Sequence, residues 1–179
     1  MPVYKAMSPA VEVNGETVLS VVAGMGSFGP HALKILAAAG IESPTAGHWY
    51  KQQAWLDAFE KIAQSIGDRT LHQIGLQIPQ SAKFPPQIDS LDKALASIDT
   101  AYHMNHRGGP IGSYTWRSSG KSSGVMVCQN PYPCDFDRGI VEATTKRFKP
   151  AGAIVQVVHE GAQPCRKKGG NSCTFTVSW

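Results

Sequence analysis

The sequence predicts one α+β domain in which a mainly helical N-terminal two-thirds packs on a C-terminal antiparallel sheet. Apolar residues recur at helical spacing in several stretches before residue 110. From Ile111 onward the pattern changes to short β-like runs separated by turns rich in Gly and Pro. The chain is 179 residues long and has no internal repeat or low-complexity tract, which suits a single domain over 1–179 with its own core.

At the N-terminus, Val11–Val13 and Thr17–Val22 flank Asn14 and Gly15, a pair suited to a tight turn, so a β-hairpin is expected. Gly24, Gly26 and Gly29 follow, and Pro30 stands where a first helical turn accepts it. A helix is expected over His31–Ala39, ended by Gly40. Trp49, Trp55, Leu56, Phe59, Ile62, Ala63 and Ile66 form the next helical stripe, which Gly67 closes. Thr70–Ile78 reads as a helix stopped by Pro79. Beyond Pro85 and Pro86, Leu91, Ala94, Leu95, Ile98 and Tyr102 mark another helix. The last third, 111–179, reads as strands Ser113–Arg117 and Gly124–Cys128, a helix from Asp135 to Phe148, and strands Ile154–His159 and Thr174–Ser178.

Composition narrows the function classes. Hydrophobic residues at 42% and charged residues at 17% exclude a disordered, collagen-like or coiled-coil chain. The longest apolar runs, near Thr17–Met25 and Ala32–Ile41, are shorter than the ~20 residues of a membrane span, and the first ten residues lack a signal-peptide pattern. A cytoplasmic protein without membrane partners is expected. The net charge of +4 is uneven, since 117–179 holds nine Lys/Arg against four Asp/Glu. Arg166, Lys167 and Lys168 with Lys146, Arg147 and Lys149 read as a solvated basic face. No aromatic-interleaved basic motif points to nucleic acid.

Gly24-x-Gly26-x-x-Gly29 has the spacing of a dinucleotide-binding turn. A second parallel strand ending in an acid is missing, because Glu42 is preceded by Ile41 alone and followed by Pro44, so a tight strand-to-helix turn is expected instead. The cysteines are more informative. Cys134 precedes a helix, and Cys165 and Cys173 bracket a Gly-containing loop between two strands, a placement that lets thiolates converge on zinc. Glu160, His159 or Cys128 would supply a fourth ligand, while Cys165–Cys173 or Cys128–Cys134 disulfides are the alternative.

Cys134, Asp135, Phe136, Asp137, Arg138 and Gly139, followed by a helix, a strand and Cys165-x-x-x-Gly169-x-x-x-Cys173-x-Phe175, resemble the vinyl-4-reductase-like small-molecule-binding domain over about 124–179. That family is distantly related in fold to haem-nitric-oxide-binding domains. The resemblance implies a structural zinc held by Cys134, Cys165, Cys173 and a glutamate. The family's glutamate position is Ala162 here, which leaves Glu160 or His159 as the fourth ligand. It also implies a sensor whose apolar pocket takes a small apolar or aromatic ligand, tetrapyrroles among the candidates, and alters contacts within a homodimer or with an effector protein. Trp49, Trp55, Phe59, Tyr102, Tyr114, Trp116 and Phe136 are the aromatic residues available to line it. No output domain is expected within the chain.

Two alternatives stand beside the sensor. His103 or His106 could ligate a haem iron with Arg107 facing a propionate, in a gas or redox sensor. The Tyr-x-Ser-x-Arg propionate motif of the haem-nitric-oxide-binding relatives is broken here, where Tyr114 and Arg117 are only three apart. An enzyme of tetrapyrrole vinyl-group metabolism is the second alternative. No GxSxG, HExxH or P-loop supports a catalytic centre, and no catalytic residue is assigned.

Overall fold

The computed structural model describes residues 2–161 and 164–179. After an irregular N-terminal strap come β1 (Glu12–Asn14), α1 (Gly15–Gly24), α2 (Gly29–Ala38), β2 (Trp49–Lys51), α3 (Gln52–Ile66), α4 (Asp68–Ser81), α5 (Leu91–Met104) and β3 (His106–Arg107). The last third holds β4 (Ser113–Ser118), β5 (Ser123–Gln129), α6 (Cys134–Phe148), β6 (Gln156–His159) and β7 (Cys173–Ser178). The architecture is α+β, with a small sheet ordered β2-β1-β3 and an antiparallel sheet ordered β4-β5-β7-β6. Among the described residues no single helix is long and apolar enough to cross a membrane.

The predicted N-terminal hairpin is corrected. Asn14 is the N-cap of α1, its side chain accepting a hydrogen bond from the Thr17 amide at 2.9 Å, and residues 17–22 are helical. Val18 and Val21 fall on one helical face and are buried, so core packing outweighs the strand propensity of the β-branched run. Gly15 serves close approach rather than a turn, because a Cβ there would lie 1.9 Å from the Thr45 carbonyl oxygen. The glycine-rich segment turns from helix to helix, through a 3₁₀ turn over Gly26–Phe28, and not from strand to helix.

Two boundaries also differ. Trp49 belongs to β2, paired with Asn14 of β1, and α3 starts at Gln52. α4 runs through Pro79 to Ser81. Proline's missing amide is tolerated in this last turn, where the Arg147 guanidinium donates to the carbonyls of Pro79 at 2.6 Å and Ala82 at 3.2 Å.

The feature that positions everything else is the crossing of α4 and α6 at two glycines. A Cβ on Gly75 would sit 2.2 Å from the Phe136 carbonyl oxygen, and one on Gly139 would sit 2.4 Å from that of His72. Backbones meet here because neither residue has a side chain. The crossing is flanked by a hydrogen bond between His72 Nε2 and Glu142, 3.0 Å apart. The buried face of the larger sheet carries Met126, Cys128, Cys173, Phe175 and Val177, and α6 lies against β6 and β7.

Candidate functional site

Two neighbouring sites are built on α6. The first gathers Cys134 at the first turn of α6, His159 at the end of β6, Cys165 before the 3₁₀ turn Arg166–Lys168, and Cys173 at the start of β7. One ligand atom from each of the four lies within 4.8 Å of every other. The loop that carries Cys165 is wound tightly. Its carbonyl accepts from the amides of Lys168 and Gly170, Gly169 has a φ of +84°, and a Cβ on Gly170 would meet the Pro164 carbonyl oxygen at 1.7 Å. All four cysteines are free thiols, so neither anticipated disulfide is present.

The donor atoms of this cluster are of the kind that could hold a metal ion. The sulfurs of Cys134 and Cys173 lie 2.8 Å apart. That contact lowers the Cys173 pKa, aided by the Arg166 guanidinium, and it raises that of Cys134. His159 Nε2 is buried without a hydrogen-bond partner. Glu160, one of the two predicted fourth ligands, instead accepts a hydrogen bond from the Thr176 hydroxyl. Alternation along β6 explains the choice, because neighbouring strand residues face opposite ways. Ala162 lies outside the described residues. Cys128 stands opposite Cys173 on β5, buried in the sheet, and is not in the cluster.

The second site is a cavity of about 110 Å³ bounded by α1, α4, α5, α6 and the segment after β5. Of the seven aromatic residues expected at a pocket, Tyr102, Tyr114 and Phe136 line it. Trp55 and Phe59 are fully buried behind it, Phe59 meeting Phe136 edge-on at 5.1 Å between centroids. Trp49 and Trp116 lie elsewhere: Arg107 stacks on the Trp49 ring at 4.3 Å, and Trp116 Nε1 donates to Asp92 at 2.8 Å. The cavity reaches solvent beside exposed Ala82 and Ala101, and Arg147 stacks on Phe84 at this mouth at 4.7 Å.

The polar groups of the wall are mostly satisfied and uncharged. Tyr102 donates to the Ile111 carbonyl at 2.5 Å, and burial raises the pKa of Tyr102, Tyr114 and Tyr132. His106 Nδ1 donates to the Tyr102 carbonyl at 2.8 Å, which leaves Nε2 to accept from the Tyr132 hydroxyl at 2.7 Å. Thr144 differs: it is fully buried, lines the cavity, and its hydroxyl has no partner. Of the haem-alternative residues only His106 reaches the cavity. His103 is half-exposed over the Asp99 carbonyl, and Arg107 pairs with Glu12 at 2.8 Å.

Burial lowers the His106 pKa to about 4. Between that value and the ordinary ~6.5 the unfolded chain binds the proton and the native chain does not. The His106 contribution to stability is therefore complete above pH 6.5 and falls by on the order of 3 kcal/mol as pH drops to 4. Unfolding of His106→Gln, followed by denaturant titration, should show a shallower loss over that window. An identical slope would contradict the buried neutral imidazole.

Sequence reading missed Tyr132, Thr144 and a buried ion pair. Arg166, expected on a solvated basic face, has a wholly buried side chain paired with equally buried Asp137. Its neighbour Lys167 bridges Asp68 at 2.6 Å and Asp135 at 2.5 Å. Burial raises the Asp137 pKa to about 6 although the Arg166 charge opposes it.

No family model and no curated protein matches the chain. Solved structures do. An H-NOX protein studied for haem distortion matches with a TM-score of 0.68 at 17% identity, covering 93% of this chain and 94% of that one. The Fe(II) unliganded H-NOX protein from K. algicida matches with a TM-score of 0.66 at 14% identity, covering 92% and 95%. An oxygen-binding H-NOX domain related to soluble guanylate cyclases, in its oxygen complex, matches with a TM-score of 0.65 at 17% identity, covering 92% and 94%. The chain has the fold of these H-NOX domains, which supports the distant fold relation drawn from its sequence, whereas the vinyl-4-reductase-like resemblance itself finds no support.

Proposed function

We propose that this H-NOX-folded chain is a sensory domain that binds a small, neutral, largely apolar molecule in its cavity, with a zinc ion holding its C-terminal loop. The carrying observation is the cavity itself. Among the described residues its wall has no charged side chain and one unpartnered buried hydroxyl, on Thr144. Its volume of about 110 Å³ is near the ~150 Å³ of apolar cavities that admit a benzene-sized guest. A flat ring bearing one hydroxyl satisfies both features.

Zinc is supported by the donor set. Three cysteines and a histidine drawn from α6, β6, the loop and β7 make a closed four-ligand group of the kind tetrahedral structural zinc takes. A closed site stabilises the fold and carries out no reaction. Ordering of the cavity wall by a ligand is then the event that an effector protein or a second copy of the chain reads.

The test is thermal unfolding of purified protein with benzene or phenol. At about a hundred times its dissociation constant a ligand adds ~2.7 kcal/mol, or about 5–10 °C in Tm for a chain of this size. Phenol should outperform benzene. Thr144→Val removes a buried unsatisfied hydroxyl, so it should raise the ligand-free stability by about 1 kcal/mol and abolish the advantage of phenol. Flat melting curves with both compounds would overturn the cavity assignment.

Haem is the second reading, favoured by the haem-bearing H-NOX structures and by one feature of His106. A histidine that donates Nδ1–H to a carbonyl and turns Nε2 inward is oriented as metal-ligating histidines commonly are. The residues as they stand do not fit the group. The Tyr132 hydroxyl occupies Nε2, no arginine lines the cavity among the described residues, and pockets that enclose larger ligands measure roughly 300–1,000 Å³. The same limit of size applies to other tetrapyrroles, including the vinyl-group substrate of the enzyme alternative. Haemin titration separates the readings: a stoichiometric Soret band lost in His106→Ala establishes haem, whereas the small-ligand reading expects no stoichiometric band.

A further inference from the structure

Arg166 is the residue after one zinc-site cysteine, yet its guanidinium is spent on the wall of the other site. Its Nε lies 3.3 Å from Cys173 Sγ, and its Nη atoms donate to the Asn130 carbonyl, to Asn130 Oδ1 at 2.5 Å and to Asp137 Oδ2. Each acceptor holds a cavity residue in turn. Asp137 Oδ1 accepts from the Tyr114 hydroxyl at 2.5 Å, and Asn130 Oδ1 accepts from the Tyr132 amide at 2.9 Å. Tyr114 and Tyr132 both line the cavity. One buried cation thus fastens the metal loop on one side and two tyrosine-bearing walls on the other.

We propose that Arg166 couples the two sites, so that filling the cavity tightens the grip on zinc and zinc in turn tightens the cavity. This rests on the reading of both sites given above. The two-state element is the loop from Cys165 to Cys173. With zinc bound, Cys165 and Cys173 share one ion and Arg166 is seated. When the loop lifts, Arg166 leaves and Asp137 is left as a buried charge without its cation, a costly arrangement that is relieved only if the carboxylate turns toward water, drawing the Tyr114 hydroxyl it accepts from along with it and rearranging the wall. A ligand packed against Tyr114 and Tyr132 binds the seated state alone, so it favours the loop geometry that zinc requires. Linkage makes the effect equal in both directions.

The experiment uses the full chain with zinc and phenol as probes. Zinc affinity is measured by chelator competition with and without saturating phenol, and phenol affinity by calorimetry on zinc-loaded and zinc-stripped protein. The expected coupling is about fivefold or more, the same factor in both measurements. A double variant, Arg166→Met with Asp137→Asn, removes the ion pair without leaving a lone buried charge. The ratio should fall to near one, whatever happens to each affinity separately. Zinc and phenol that both bind but ignore one another would overturn the coupling and leave the two sites standing. Failure of either to bind would overturn the site assignments and the coupling with them.

Discussion

Replacing Cys165 by serine is expected to release zinc and lower Tm by on the order of 10 °C. The ion would tie together four pieces of chain at one point: the start of α6, the end of β6, the loop carrying Cys165, and the start of β7. β6 is a four-residue edge strand bonded only to β7, and the loop is held by its own turns, by buried Arg166 and by Lys167. Metal binding free energy at such a site is folding free energy. Losing about 3 kcal/mol of it corresponds to roughly 6–12 °C in a chain of this length. His159→Ala should act in the same direction, whereas Cys128→Ser should retain the metal, since Cys128 is outside the cluster. Calorimetry with elemental analysis of each variant checks this. Unchanged metal content and melting in Cys165→Ser would remove zinc from the account.

Gly139→Ala is expected to cost about 3 kcal/mol or more, a large effect for one methyl. The new Cβ would lie 2.4 Å from the His72 carbonyl oxygen, 2.8 Å from the Leu76 amide nitrogen and 2.9 Å from the Gly75 carbonyl carbon. All three are backbone atoms, so no rotamer change relieves the contact and α4 must move away from α6. The consequence reaches the cavity, which takes Ile78 and Pro79 from α4 and Phe136, Ile140 and Thr144 from α6. Spreading the helices enlarges it, so the variant should also lose the preference for a benzene-sized guest. Gly67→Ala offers the comparison: its methyl would meet nothing within 4 Å, and its cost comes from a φ of +104° alone. Denaturant unfolding measures both, and a loss in Gly139→Ala no larger than in Gly67→Ala would contradict the tight crossing.

Regular elements with strong periodicity were readable from the sequence, and so were the cysteines. Leu91, Leu95, Ile98 and Tyr102 predict α5 within two residues of its observed end, and the last two strands lie where β-branched runs place them. Cys134, Cys165 and Cys173 are singled out by residue type and spacing, and they lie close together in the structure. What the sequence could not reveal was direction and company. Thr17–Val22 has strand propensity yet packs as a helix once Asn14 caps it. Arg166 stands beside two lysines and reads as surface, but its partners Asp137 and Asn130 are 29 and 36 residues away. Tyr132 sits between two prolines with no periodicity to mark it, and it closes over His106 only because the chain after β5 folds back there. Trp49 and Trp116 were expected at the pocket on residue type alone, and type does not say which face of a strand a ring takes.

The most direct measurement is native mass spectrometry of the freshly purified protein. One zinc per chain with no haem-sized adduct is the result expected, together with a shift to a ligand-bearing species when phenol is added. A metal-free chain carrying one haem would contradict the account, because the cavity would then have opened past Tyr132 and the loop would be holding its shape without an ion.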